Sequence, residues 1–124
     1  RVLKVEGRFL CSTYGKQHMW EITDLVQKFH KEIVLSAEVL YERFGLENGE
    51  NLLAPYFPEI QMRRYEDAIE IAEAEPLISY ILSCHGNQNQ LLLNQYKEFR
   101  EFVSARVADG FHITKDAGIF LCRK

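Results

Sequence analysis

The sequence predicts an α/β fold, and three observations carry that expectation. Residues 8–13 (RFLCST) form a short apolar run closed by a small-polar tip and Gly15, the pattern of a strand set between turn signals. Directly after it, Ile22, Leu25, Val26, Phe29 and Ile33 recur on one face at helical spacing. Residues 60–71 then return to period-two alternation, with Ile60, Met62 and Arg64 set against Gln61 and Arg63.

Taken in order, Arg1-Val2-Leu3-Lys4 reads as the end of a helix, and Glu6-Gly7 as the turn into the strand 8–13. An apolar run of this kind suits burial on both faces, as in a parallel sheet. Strand, polar tip, glycine and helix is also where open α/β sheets place ligands. After the first helix a second is expected from Ser36, as its N-cap, to Phe44, stopped by Gly45. A short third helix is expected over 50–56, between the Asn48-Gly49 turn and Pro58.

In the strand 60–71 a change of phase near Glu66-Asp67 suggests a bulge or bend. Glu73 and Glu75 stand in the first turn of the next helix, two apart, so they are partners of its dipole and not a catalytic pair. That helix carries Leu77, Tyr80 and Ile81 and ends at Cys84-His85-Gly86, with residues 87–89 as a loop. The longest helix is expected over 90–109, burying Leu92, Tyr96, Phe99, Phe102, Val103 and Val107. The chain closes with 111–114, a turn at Lys115-Asp116, and a strand over 118–122.

At 124 residues this is at most one domain, and 47% hydrophobic with 27% charged residues is ordinary globular composition. The 15 basic and 18 acidic residues are well mixed, which argues against nucleic acid, whose phosphates call for a basic patch. No apolar run reaches the roughly 18–20 residues of a membrane span. Cys11, Cys84 and Cys122 are too few and too scattered for a disulfide framework or a zinc site. Free thiols of this kind fit a reducing compartment, so a cytoplasmic location is expected and no metal.

RVLK-x-x-GRF-x-CSTYG-x-x-HM, residues 1–19, resembles the fifth strand and following loop of class I S-adenosylmethionine-dependent methyltransferases, in particular the bacterial small-molecule type. Val2-Leu3-Lys4 and Gly7 match that family's Val-Leu-Lys-Pro-Gly-Gly turn, with Val5 and Glu6 in place of Pro-Gly. FGLENGE (44–50), RRYEDA (63–68), AEPLISYILS (74–83) and FHITKDAGIFLCRK (111–124) continue the similarity, in order, across nearly the whole chain.

The resemblance implies the C-terminal portion of a Rossmann-like methyltransferase fold. It would have three or four strands in a mixed sheet, the last one antiparallel, and about five helices, with the sheet in the order five, seven, six. Residues 36–58 would be a helical insertion over the substrate side. The implied reaction is methyl transfer from S-adenosylmethionine to a small molecule. The family's acidic residue and Gly-rich turn are not among these residues: the chain has 7 Gly and no G-x-G. The chain also opens on Arg1 in mid-pattern. Residues 1–124 are therefore expected to be a partial domain that neither binds the cofactor nor works by itself. The competing reading is a non-catalytic interaction or oligomerisation module, and an unpaired edge on the strand 8–13 would favour self-association.

Candidate residues follow from that placement. His18 stands nearest the acceptor and is the candidate base; the other reading is a capping or exposed His in the first helical turn. Thr13 and Tyr14 either hydrogen-bond substrate or cap and pack locally. Met19 and Trp20 either wall the pocket or pack as core and lid. Tyr41, Phe44, Tyr56 and Phe57 divide between lid and core, with Tyr56 taken as the substrate-side residue. His85 and His112 are expected in structural roles, and His30 exposed.

Overall fold

The computed structural model describes residues 2–124. The chain runs β1 (Arg8–Tyr14), α1 (Trp20–Phe29), α2 (Leu40–Arg43), α3 (Gly49–Leu53), β2 (Glu59–Ile71), α4 (Ala74–Ser83), α5 (Gln88–Leu92), α6 (Tyr96–Val107) and β3 (Phe111–Arg123). The fold is α/β, with an open three-stranded antiparallel sheet in the order β1-β3-β2. A mixed sheet would need a parallel neighbour, and none exists among the described residues. Packing divides into two compact units.

The first unit joins the N-terminal stretch to His18, Val39–Asp67 and Lys115–Lys124. The expected helix end is not there: Val2, Leu3 and Lys4 are irregular, and Arg1 lies outside the described residues. The turn does form, with the Gly7 N–H donating to the Lys4 carbonyl at 2.8 Å. It places Glu6 at φ 64, left-handed backbone that a non-glycine residue adopts at a cost.

β1 pairs antiparallel with β3, Arg8 opposite Arg123, Leu10 opposite Leu121 and Tyr14 opposite Ala117. Only one of its faces is covered. Cys11 packs into a core of Leu46, Phe120 and Cys122 that Phe44, Leu53 and Phe57 also reach, and Phe9 stacks on Phe57 at 5.5 Å. Leu10, on the opposite face by alternation, is 58% exposed. The strand is therefore not buried on both faces, because within its unit the helical residues close one side alone.

α2 is shorter than expected. The Ser36 hydroxyl donates to the Glu38 carbonyl at 2.8 Å and caps no helix. Gly45 then donates to Asn48 Oδ1 at 2.7 Å, which turns the chain into α3.

The second unit comprises Met19–Glu38 and Ala68–Thr114. Its core gathers Ile22, Leu25 and Val26 of α1, Leu77, Ile78 and Ile81 of α4, Leu92 of α5, and Phe99, Val103 and Val107 of α6. Phe29 meets both Phe99 and Phe102 at 5.3 Å between ring centroids. Removing a ring as deeply buried as Phe99 costs about 3–5 kcal/mol. After α1, the stretch through Val34 is pinned by Asn87, whose Oδ1 accepts from the Val34 N–H at 2.7 Å and whose Nδ2 donates to the Glu32 carbonyl at 2.9 Å.

Four sequence expectations change here. The helix over 90–109 is two helices, because Gln95 leaves helical geometry at φ −131 and starts α6 afresh. Its stripe is narrower too, since Tyr96 is exposed. The loop 87–89 instead opens α5. In α4 it is Ile78, not Tyr80, that turns inward.

β3 brings the largest correction. Lys115-Asp116 is no turn but the middle of a continuous strand of 13 residues. The buried positions shift phase between Ile113 and Asp116, where the chain passes from the second unit to the first.

Candidate functional site

Asp116 sits inside the first unit, 6% exposed, and draws the turn after β1 onto itself. The Gly15 N–H donates to the Asp116 carbonyl at 2.8 Å. The Gln17 N–H donates to Asp116 Oδ2 at 3.3 Å. The Asp116 N–H donates to His18 Nδ1 at 3.1 Å. On its other side the carboxylate meets Arg64 Nε at 3.4 Å. Glu47 completes the seat, accepting from the Lys16 N–H at 2.9 Å and from Arg64 at 3.5 Å.

Gly15 is required by space. A Cβ there would collide with the Asp116 carboxylate and lie 2.8 Å from Glu47 Oε1. The turn closes on itself through the His18 N–H, which donates to the Gly15 carbonyl at 3.2 Å.

Of the residues expected to touch a substrate, Thr13, Tyr14 and His18 come together at this end of β1. Tyr14 and His18 stack, with centroids 4.9 Å apart and planes 24° apart. The Tyr14 carbonyl accepts from the Leu46 N–H at 3.3 Å. Thr13 donates its hydroxyl proton to the Phe44 carbonyl at 2.7 Å, so it fastens the segment before α3. Partial burial pushes the His18 pKa below its ordinary value, against the Asp116 charge, which pulls it up, and with help from Lys115. The shift favours the neutral ring.

The remaining candidates lie elsewhere. Met19 and Trp20 belong to the second unit. Met19 is the residue before α1, at φ 56, and packs against that unit's core. Trp20 is about half exposed. Tyr56, in the first unit, is 73% exposed and walls nothing enclosed. Of the other aromatics named, Phe44 and Phe57 pack on the core around Phe120. His112 pairs with Glu70 in the second unit.

Two hollows in the first unit, of about 200 and 480 Å³, open at the Arg8 end of β1, away from Tyr14. Among the described residues no His, Cys, Asp and Glu group is arranged to hold a metal. Burial raises the pKa of Cys11, Cys84 and Cys122, which suppresses thiolate chemistry. Among the described residues no helix is long and apolar enough to cross a membrane.

Sequence reasoning missed Asp116 and Glu47 as organisers of this turn. The signal for Asp116 was its place in the alternation 116, 118, 120, 122, which continues into Phe120 and Cys122. What the seat does chemically is hold one imidazole in one orientation, with its Nδ1 lone pair occupied. No family model, no curated protein and no solved structure matches the chain.

Proposed function

We propose that the chain is the portion of a class I S-adenosylmethionine-dependent methyltransferase, of the bacterial small-molecule type, that carries strands five to seven and the substrate-side segments. The observation that carries this reading is the sheet order. The ordered resemblance requires the last strand between the other two and antiparallel, and β3 lies between β1 and β2 and runs antiparallel to β1.

The cofactor would bring the reactive methyl group, leaving the protein to position the acceptor. The cofactor's seat would lie in the other half of the domain, because the family's acidic residue and Gly-rich turn are not among these residues. On this reading the chain contributes to acceptor binding at the β1 tip, through Tyr14 and His18, in a cytoplasmic enzyme.

Calorimetry tests it. The 124-residue chain should show no saturable heat with S-adenosylmethionine. A protein extended upstream by one Rossmann half, about a hundred residues, should bind it and transfer its methyl group. Micromolar binding by the chain alone, or none by the extended protein, overturns the reading.

The second reading, an interaction or oligomerisation module, is favoured by one observation. β1 ends the sheet, and its Leu10 is 58% exposed.

A further inference from the structure

The His18 ring is held at one nitrogen and open at the other. The Asp116 amide, at 3.1 Å from Nδ1, has only a proton to offer. Nδ1 must therefore present its lone pair, and a neutral ring keeps its proton on Nε2. Nε2 has no hydrogen-bond partner among the described residues, and it is not among the atoms sealed from solvent without one. The ring cannot easily turn away, because Tyr14 stacks on it and the turn 15–18 is tied to Asp116 and Glu47.

We infer that His18 is a fixed hydrogen-bond donor, presenting Nε2–H to a carboxylate or carbonyl oxygen of a small molecule bound at the β1 tip, with Asp116 as the residue that positions it. The inference takes from the methyltransferase reading only the place of the ligand. It differs from both sequence readings of His18, a candidate base or a capping or exposed residue. To accept a proton at Nδ1 the ring would have to face the Asp116 N–H with a second N–H, losing one bond and opposing two donors. Nε2 already carries its proton. A ligand offering only donors, such as an ammonium, finds no partner at Nε2, whereas an oxygen acceptor does.

Long-range proton–nitrogen correlation on the histidine-labelled chain tests both halves. His18 should show the Nε2–H tautomer at neutral pH, and Asp116→Ala, which keeps the amide but frees the Gln17 anchor, should retain that tautomer while broadening the His18 resonances. Sodium benzoate, a planar carboxylate, should shift the His18 Nε2 resonance saturably. His18→Phe, which keeps an aromatic ring beside Tyr14, should weaken benzoate binding about tenfold or more, read at the Tyr14 amide. An Nδ1–H tautomer, or a His18 signal indifferent to benzoate in the folded chain, overturns the inference. A saturable His18 response in a protein whose extended form never binds S-adenosylmethionine keeps it and removes the methyltransferase reading.

Discussion

Gly15 and Asp116 are joined in two ways. The glycine N–H donates to the Asp116 carbonyl at 2.8 Å, and the Asp116 carboxylate fills the place a side chain at Gly15 would take. The loop after β1 and the middle of β3 therefore form one fitted contact, and substituting either residue disturbs both.

Gly15→Ala should destabilise the protein by about 1–3 kcal/mol, the range for overpacking against atoms that cannot move freely. The cause is steric, since Gly15 has no positive φ. Gly110→Ala is the contrasting case. Nothing lies within 4 Å of its would-be Cβ, but its φ of 96 penalises any side chain. Urea unfolding should show both losses, and only Gly15→Ala should also shift the His18 and Gln17 resonances.

Glu21 accepts from the Thr114 N–H and hydroxyl within the second unit. Burial works against its charge, but these bonds, with smaller help from its own backbone and His112, hold its pKa below the usual carboxylate value. A depressed carboxylate contributes stability that is present above its unfolded pKa and is lost as pH falls through its folded one. Thr114→Val should cost about 1–2 kcal/mol at pH 7. The deficit should narrow as the pH falls below the ordinary carboxylate range, as denaturation at neutral and acid pH would reveal.

Two histidines should titrate on opposite sides of the ordinary value. His112 is raised by its hydrogen bond to Glu70, so its contribution is present below its unfolded pKa and lost as pH rises through its folded one. His18 is lowered by burial, so its contribution is present above the unfolded pKa and lost as pH falls through the folded one. Proton NMR titration should place His18 lowest of the two. Glu70→Gln should bring His112 down and leave His18 in place.

The outer edge of β1 is predicted to pair with a second copy. An edge strand with unpaired N–H and C=O groups and an exposed Leu10 invites another chain. Sedimentation should show mass rising with concentration, and Leu10→Lys should return the protein to monomer. A wild-type monomer at every concentration would refute the pairing.

Much of the architecture could be read from periodicity. The stripe through Ile22, Leu25 and Val26 located α1, and β1 and β2 lie within a residue of their expected bounds. The site was harder to read for a physical reason. Lys115-Asp116 has turn chemistry by composition, and only tertiary partners of its carboxylate, Gln17 and Arg64, make a buried aspartate tolerable within a strand. Ser36 misled in the opposite way, because its hydroxyl found a local carbonyl two residues on and left the helix uncapped. Residues 93–95 carry no Gly or Pro to announce the break between α5 and α6.

The seat for residues 15–18 also divides unequally between main chain and side chain. Asp116 gives its carbonyl to Gly15 and its amide to His18, and neither belongs to the part of the residue that a codon can change. Only the carboxylate's hold on Gln17 and Arg64 is open to mutation. Sequence drift at 116 would thus alter how stiffly the imidazole is held before it altered which nitrogen faces outward. Lineages differing at this position could keep the same binding polarity while varying in affinity.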